Sequence, residues 1–152
     1  MADIESMFHQ VRVSEIDRDV LRFLWWTNGD LSQPPKEFRM TAHLFGATSS
    51  PSCANFALNR AITDSAESCD KDVLEEAKRC FYVDDCLVSV RNENEAVRFS
   101  QQLRSMLCKG GFKLHKRKSN SVTLMTVIPE SEQATTPIEL GRRDPAMHRA
   151  LG

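Results

Sequence analysis

The sequence lacks the features that mark membrane, fibrous and strongly charged proteins. None of its apolar runs approaches 18 residues, which excludes a membrane-spanning helix. Its 20 Lys and Arg against 21 Asp and Glu leave a formal net charge of −1. That balance argues against nucleic-acid binding through bulk positive charge, although it is compatible with local basic patches. Internal repeats and low-complexity segments are absent as well.

The cysteines form no recognisable metal or disulfide pattern. They are odd in number, none is spaced as Cys-x-x-Cys, and none has a histidine at a zinc-like spacing. The four histidines likewise lie in unrelated contexts and predict neither a metal cluster nor a catalytic triad. Reduced thiols are the expected state of the five cysteines, which are Cys53, Cys69, Cys80, Cys86 and Cys108.

What remains is an ordinary globular composition with clear helix signals. The 152 residues are 41% hydrophobic and 27% charged, which predicts one domain with a modest core. Helices are expected to begin at Ser50-Pro51, at Asp70 and at Asn92, where Glu95 completes a capping box, and Gly110-Gly111 ends the third. Their apolar stripes are Ala54, Ala57, Leu58, Ala61 and Ile62, then Val73, Leu74 and Ala77, then Ala96, Phe99, Leu103, Met106 and Leu107.

The other apolar segments predict strands. A helical turn is expected over 17–22, and the polar composition after Pro129 predicts an irregular segment. The alternation of strands with helices indicates an α/β or α+β sheet domain with helices covering one face. The expected strands are 7–13, 21–26, 38–44, 112–114 and 122–128, with two short ones between 80 and 90.

Two adjacent carboxylates interrupt the most apolar of these segments. Asp84 and Asp85 stand between Phe-Tyr-Val at 81–83 and Cys-Leu-Val at 86–88. One interpretation is a hairpin tip that meets water, since aspartate is common in turns. The other is a divalent metal site, which normally takes carboxylates from more than one segment. Asp3 offers such a further carboxylate.

These residues resemble a known family. Tyr82-Val83-Asp84-Asp85, with Asp3 some eighty residues upstream, resembles the palm of reverse transcriptases, and in particular the BEL/Pao group of LTR retrotransposons. The resemblance covers roughly 2–128. The other blocks that carry it are Ala-Asp-Ile-Glu-Ser-Met-Phe-His-Gln-Val at 2–11, Leu-Arg-Phe-Leu-Trp-Trp at 21–26 and Phe-Gly-Ala-Thr-Ser-Ser-Pro-Ser at 45–52.

The resemblance implies a fold and a chemistry. The fold would be α+β, a palm-like antiparallel sheet with helices packed on one face. The activity would be that of an RNA-directed DNA polymerase that uses two Mg²⁺ ions, with Mn²⁺ as a substitute. In this family the motif aspartates bind the metals, which carries over to Asp3, Asp84 and Asp85, together with the backbone carbonyl of Ile4.

The resemblance also implies nucleotide and primer contacts. Phe8 would be the aromatic gate that rejects a 2′-hydroxyl, although an ordinary core aromatic is the alternative. Phe45 and Gly46 would line the nucleotide site, and Tyr82 and Val83 would lie near the primer terminus. Considered without the resemblance, the basic segment 113–118 would be a solvated strand. The resemblance implies that Lys118 lies near the triphosphate. Lys116 is the competing assignment for that role, or would contact primer and template.

Finally, the resemblance implies a fragment of a longer polyprotein, truncated at both ends. Residues 1–128 would be the palm fragment, and 129–152 an irregular connection towards a missing primer grip and thumb. Its partners would be an RNA or DNA template with primer, a dNTP and the missing fingers, thumb and RNase H parts, without a membrane. The location would be intracellular and cytoplasmic, in a retrotransposon particle. The alternative is an inactive palm remnant that acts only as a nucleic-acid-binding or interaction module.

Overall fold

The computed structural model describes residues 1–135, and the chain divides into two compact units. Unit 1 comprises Met1–Glu5 and Asn55–Gly152, of which residues up to 135 are described, and unit 2 comprises Ser6–Ala54. The strands are β1 (Ala2–Ile4), β2 (Arg22–Trp25), β3 (Lys36–Arg39), β4 (Phe81–Tyr82), β5 (Asp85–Cys86) and β6 (Leu114–His115). The α-helices are α1 (Met7–Gln10), α2 (Ser50–Asp64), α3 (Lys71–Ala77), α4 (Glu93–Lys109) and α5 (Val122–Val127). The 3₁₀ helices are Glu15–Leu21, Thr27–Gly29, Ala66–Ser68 and Glu130–Glu132.

A four-stranded antiparallel sheet organises unit 1. The strand order is β4-β5-β1-β6, so β1 lies between β5 and β6. Side chains of a strand alternate between the two faces of a sheet. Ala2, Ile4, Cys86 and Leu114 are buried on one face, which the helices cover. The expected α+β fold, a palm-like antiparallel sheet with helices on one face, is confirmed.

The helices of unit 1 form where the sequence places them. In α4 the Asn92 side chain accepts a hydrogen bond from the Glu95 amide at 3.0 Å, and a Glu95 carboxylate oxygen accepts one from the Arg91 amide at 3.2 Å. This is nearly the expected capping box, which satisfies amides that the first turn leaves unpaired. Gly110 follows as the C-cap. The stripe residues that are fully buried are Ala54, Leu58, Ile62, Val73, Ala77, Phe99, Leu103, Met106 and Leu107.

Ser50 has a different role from the expected cap. It is the first helical residue of α2, is fully buried, and its hydroxyl lies 3.4 Å from Nδ1 of His43. The helix start at Ser50-Pro51 is therefore confirmed, while the serine contributes a polar contact inside unit 2 in place of a cap.

Unit 2 contains the hairpin β2–β3. Both strands are exposed along their whole length, and Phe23 stacks on Phe38 with ring centroids 5.9 Å apart. The expected helical turn before it forms as the 3₁₀ helix Glu15–Leu21. The expected strand 38–44 is shorter than predicted, since β3 ends at Arg39 and only an isolated bridge from Ala42 to Arg12 follows.

The predicted strand over 122–128 is wrong, because this segment is helix α5 followed by an extended Ile128. Its β-branched residues favour a strand. The Ser121 side chain instead accepts a hydrogen bond from the Leu124 amide at 3.1 Å, and Thr123 donates to a Glu93 carboxylate at 2.9 Å. A capped first turn tied to α4 outweighs a propensity that is worth only tenths of a kcal/mol per residue.

The predicted strand over 7–13 is only partly right. Ser6, with φ of 48°, turns the chain out of β1 into the short helix α1. Extended pairing appears only after it, where the Val13 amide donates to the Thr41 carbonyl at 2.9 Å. Within 7–13 only Met7 and Val13 are buried, so the alternation that a strand needs is not present.

The segment after Pro129 begins with the 3₁₀ helix Glu130–Glu132 and a bridge from Gln133 to Arg117. Residues 136–152, which hold most of the expected irregular connection, lie outside the described residues. Through residue 135, the chain contains no helix with the length and apolarity needed to cross a bilayer.

Candidate active site

The register of the sheet in unit 1 aligns the chemistry-bearing residues in one row. Tyr82 lies opposite Asp85, Asp85 lies opposite Asp3, and Asp3 lies opposite His115. Directly opposed residues share a face, and their Cβ atoms are about 4.5–5.5 Å apart. This face is the reverse of the one that carries Ala2 and Cys86 into the core. Four strands therefore present a polar row of an exposed aromatic, two carboxylates and an imidazole.

Asp84 reaches the same region through a tight turn. Val83 and Asp84 form the two-residue loop between β4 and β5, and the Asp84 carbonyl accepts a hydrogen bond from the Ile4 amide at 2.9 Å. Val83 has φ of 55°, in the left-handed region that β-branched residues rarely adopt. Lys116, just after β6, has φ of 47°. Backbone strain of this kind clusters at functional sites.

Negative charge accumulates at Asp85. Partial burial raises the pKa of the Asp85 carboxyl, and the neighbouring charges of Asp84 and Asp3 raise it further, while Lys116 opposes them. Like charges this close disfavour full ionisation of the group. The three carboxylates predicted from the sequence are therefore near enough to repel one another.

Two basic side chains contact Asp3. Its Oδ1 lies 3.1 Å from Nε2 of His115, and its Oδ2 lies 3.2 Å from Nζ of Lys116. The Asp3 side chain is 24% exposed, whereas that of Lys116 is 65% exposed. Lys116 therefore covers the carboxylate from the solvent side.

The two basic candidates of segment 113–118 lie in different surroundings. Lys116 contacts Asp3, while Lys118 lines a cavity of about 460 Å³, and its backbone pairs with Met1. The structure thus brings Lys116 to the carboxylates and does not bring Lys118 there.

Unit 2 holds the remaining nucleotide-site candidates. Phe8 on α1 is half-buried, and its ring packs edge-on against Phe45 at a centroid distance of 5.8 Å. Phe45 is exposed, as expected for a residue that could stack on a ligand. Gly46 has φ of 89°, and a Cβ there would meet open space. Glycine is favoured here because this backbone conformation is one that other residues rarely adopt.

A family comparison agrees with this geometry. A family model described as "Reverse transcriptase (RNA-dependent DNA polymerase)" matches residues 1–141, which is most of the chain. The chain belongs to the reverse transcriptase family. A search of curated proteins gives no match. As a member of this family, the chain belongs among polymerases that bind template, primer and dNTP.

Reverse transcriptases use divalent metal ions. The carboxylates of Asp3, Asp84 and Asp85, called the acidic row below, can therefore be tested for their fit to such an ion. Three carboxylates supply the hard oxygen donors that Mg²⁺ prefers, and a cation would relieve the repulsion at Asp85. As placed, the side chains within residues 1–135 include no group of three or more His, Cys, Asp or Glu that could hold a metal ion. The donor set fits a divalent cation, and Asp3 would have to exchange His115 and Lys116 for it.

His115 is the residue of this reverse transcriptase that sequence reasoning missed. Its sequence context gave no reason to connect it with the aspartates, whereas in the structure its Nε2 lies 3.1 Å from Oδ1 of Asp3. The connection depends on β6 pairing with β1 in a register that places His115 opposite Asp3. Within the sequence the only available signal was the basic, alternating segment that contains it.

Proposed function

We propose that this chain supplies the catalytic palm of an RNA-directed DNA polymerase from a BEL/Pao-type LTR retrotransposon. It would transfer a nucleotide from a dNTP to a primer 3′-hydroxyl. The observation that carries the proposal is the direct pairing of Asp3 with Asp85, beside the turn that holds Asp84.

The acidic row has a definite task in this reaction. Asp3, Asp84 and Asp85, with the Ile4 carbonyl, would hold two Mg²⁺ ions. Bound there, the ions would acidify the primer hydroxyl and neutralise the charge of the triphosphate and of the leaving pyrophosphate. The protein's own contribution is positioning, since the strands fix the carboxylates before substrate arrives.

Other candidate side chains would position the substrates. Phe8, backed by Phe45, would exclude a 2′-hydroxyl and so favour deoxynucleotides. Tyr82 is 68% exposed beside Asp85, where it could contact the primer terminus, and Val83 follows it in the turn. Lys116, once released from Asp3, would face the phosphates and is favoured over Lys118 for that role by its position.

Primer extension tests the proposal. The assay uses an RNA template, a DNA primer, dNTPs and Mg²⁺, with the chain and with any longer chain encoded at the same locus. We expect extension that Asp84→Asn abolishes, because the substitution removes a metal ligand and keeps the shape of the side chain. Asp72→Asn, at an exposed position of helix α3, is the matched control and should leave extension unchanged.

One observation favours a second candidate, an inactive remnant that only binds nucleic acid or a partner. Both oxygens of Asp3 face basic side chains instead of an open cation site. This candidate predicts primer–template binding that persists in Asp3→Ala and Asp84→Ala, with no extension by the unsubstituted protein. It also predicts no saturable Mg²⁺ binding that Asp84→Asn weakens.

The proposal also implies a location in the cell. A polymerase of this type would work inside the cell, in the cytoplasmic particle of the parent element, together with the fingers, thumb and RNase H regions of the same polyprotein.

A further inference from the structure

Two cysteines flank the hairpin that carries the aspartates. Cys80 comes directly before β4, and Cys86 is the last residue of β5. Their Sγ atoms lie 3.4 Å apart. The backbone holds them in place, since the Leu87 amide donates to the Cys80 carbonyl at 2.8 Å and Cys86 pairs with Phe81. A disulfide needs sulfur atoms about 2.0 Å apart, so a small side-chain movement would close the bond.

The pair is buried but can be reached from one side. Cys80 and Cys86 are 6% and 3% exposed. Cys86 lines the cavity of about 460 Å³, along with Leu87, Arg117 and Lys118, whereas Cys80 does not line it. A small reagent that enters this cavity would therefore meet Cys86 first, with Cys80 directly behind it.

We propose that Cys80 and Cys86 form a dithiol site that closes to a disulfide by exchange with a low-molecular-weight disulfide. The Cys86 thiol loses its proton to solvent, and its sulfur attacks one sulfur of the reagent. This forms a mixed disulfide and releases one thiolate, which takes up a proton. Cys80 then loses its proton, attacks the Cys86 sulfur and releases the second reagent thiol. Two protein thiols are oxidised by two electrons, and one disulfide is reduced to two thiols.

The site is separate from the proposed polymerase chemistry. Cys86 follows Asp85 in β5, so its side chain faces the core while the carboxylate faces the other side of the sheet. The closed disulfide would join the two ends of the hairpin that carries Asp84 and Asp85. The inference depends only on the two sulfurs and the cavity, and not on polymerase activity.

Oxidised glutathione is the probe for the test. The protein is the full chain with Cys53→Ser, Cys69→Ser and Cys108→Ser, so that only the pair is left. After native oxidation the protein is unfolded, its free thiols are alkylated, and its mass is measured. We expect the mass of the protein to be lower by two hydrogen atoms than that of the reduced protein, with no alkyl group added. Two alkyl groups, or a mixed disulfide that does not resolve, would overturn the proposal.

Single substitutions in that background test the order of events. With Cys80→Ser, Cys86 should accumulate as the glutathione mixed disulfide. With Cys86→Ser, Cys80 should stay unreacted, because the cavity does not reach it. The equilibrium constant for disulfide formation with glutathione should be at least about tenfold larger in the folded protein than in the same protein unfolded in guanidinium. An equal or smaller constant in the folded protein would contradict a preformed site.

The natural five-cysteine chain gives an answer if the triple variant does not fold. Peptide mapping after the same native oxidation should show a Cys80–Cys86 cross-link as the principal disulfide. A map in which these two cysteines stay reduced while others react would also overturn the proposal.

Discussion

At the scale of single residues, Asp3 decides what the acidic row can bind. Its carboxylate lies opposite Asp85 across the sheet and contacts the side chains of His115 and Lys116. The ion pair between Asp3 and the mostly exposed Lys116 contributes little net free energy, because water and salt screen it. A divalent cation, with twice the charge and several carboxylates to bind, should displace Lys116.

Substitution of Lys116 by methionine tests that competition. We expect Lys116→Met to bind Mg²⁺ roughly two- to fivefold more tightly, since the variant loses a contact worth up to about 1 kcal/mol that the cation must break. The measurement is a calorimetric titration of the protein without nucleotide or nucleic acid.

Lys113→Met is the matched control for that titration. Lys113 has the same charge just before β6, and the ion pairs of Asp3 with His115 and Lys116 do not involve it. Its substitution should change Mg²⁺ affinity less than that of Lys116. Unchanged or weaker binding in Lys116→Met would show that the lysine does not compete for Asp3.

At the scale of elements, the β4–β5 hairpin places a β-branched residue where glycine is normally found. Two-residue hairpins favour glycine when the first loop residue has positive φ. Val83 occupies that position with φ of 55° and is 40% exposed. The hairpin therefore combines the two aspartates with local strain, a combination typical of a functional turn.

Replacing Val83 by glycine should stabilise the protein. We expect Val83→Gly to raise the free energy of unfolding by about 1 kcal/mol, because relief of strain exceeds the added entropy of glycine in the unfolded chain. The measurement is the midpoint of urea unfolding. In contrast, Val122→Gly at an exposed position of α5 should lower that free energy by roughly 0.3 kcal/mol. A loss of stability in both variants would rule out strain at Val83.

At the scale of the whole molecule, one buried ion-pair network connects distant parts of unit 1. The Arg117 guanidinium, next to β6, donates to Glu132 at 2.8 Å and to the Ser100 hydroxyl on α4. Arg104 on α4 donates to the other oxygen of Glu132 at 2.7 Å. Arg117 is 5% exposed, so loss of Glu132 would leave a buried charge without its partner.

The network predicts a dependence of stability on acid pH. Burial tends to raise the pKa of the Glu132 carboxyl, but the hydrogen bonds from Arg117 and Arg104 outweigh it and hold the pKa below its usual value of 4.5. The ionised form is thus favoured in the folded protein. Its contribution is fully present above the unfolded pKa and is lost as the pH falls through the lower folded pKa.

Glu132→Gln provides the measurement. At neutral pH we expect the free energy of unfolding of the variant to be about 2 kcal/mol below that of the unsubstituted protein. When the pH falls from about 5 to about 3, the free energy of unfolding should decrease less in the variant than in the unsubstituted protein. Urea unfolding over that range gives both values. Glu67→Gln, on the 3₁₀ helix Ala66–Ser68, should follow the unsubstituted protein. Parallel pH profiles for Glu132→Gln and the unsubstituted protein would contradict the network.

Much of the helical structure could be predicted because its signals are local. The Asn92 cap, the apolar stripe from Phe99 to Leu107 and the stop at Gly110 all lie within one segment. The strands were harder to predict from the sequence. Segment 122–128 has strand-forming residues, and only contacts of Ser121 and Thr123, the latter with Glu93 on another helix, make it helical.

The sequence by itself determined which residues are the candidates for the chemistry. The carboxylates and the aromatic and basic residues around them are present as types and in order, and the family follows from that pattern over 1–141. Tertiary structure decided which of them meet. Asp3, Asp85, His115 and Lys116 come together through strand register, and Lys116 lies 113 positions after Asp3. Register depends on which strands hydrogen-bond and which face is buried, so no local stretch of sequence can specify it.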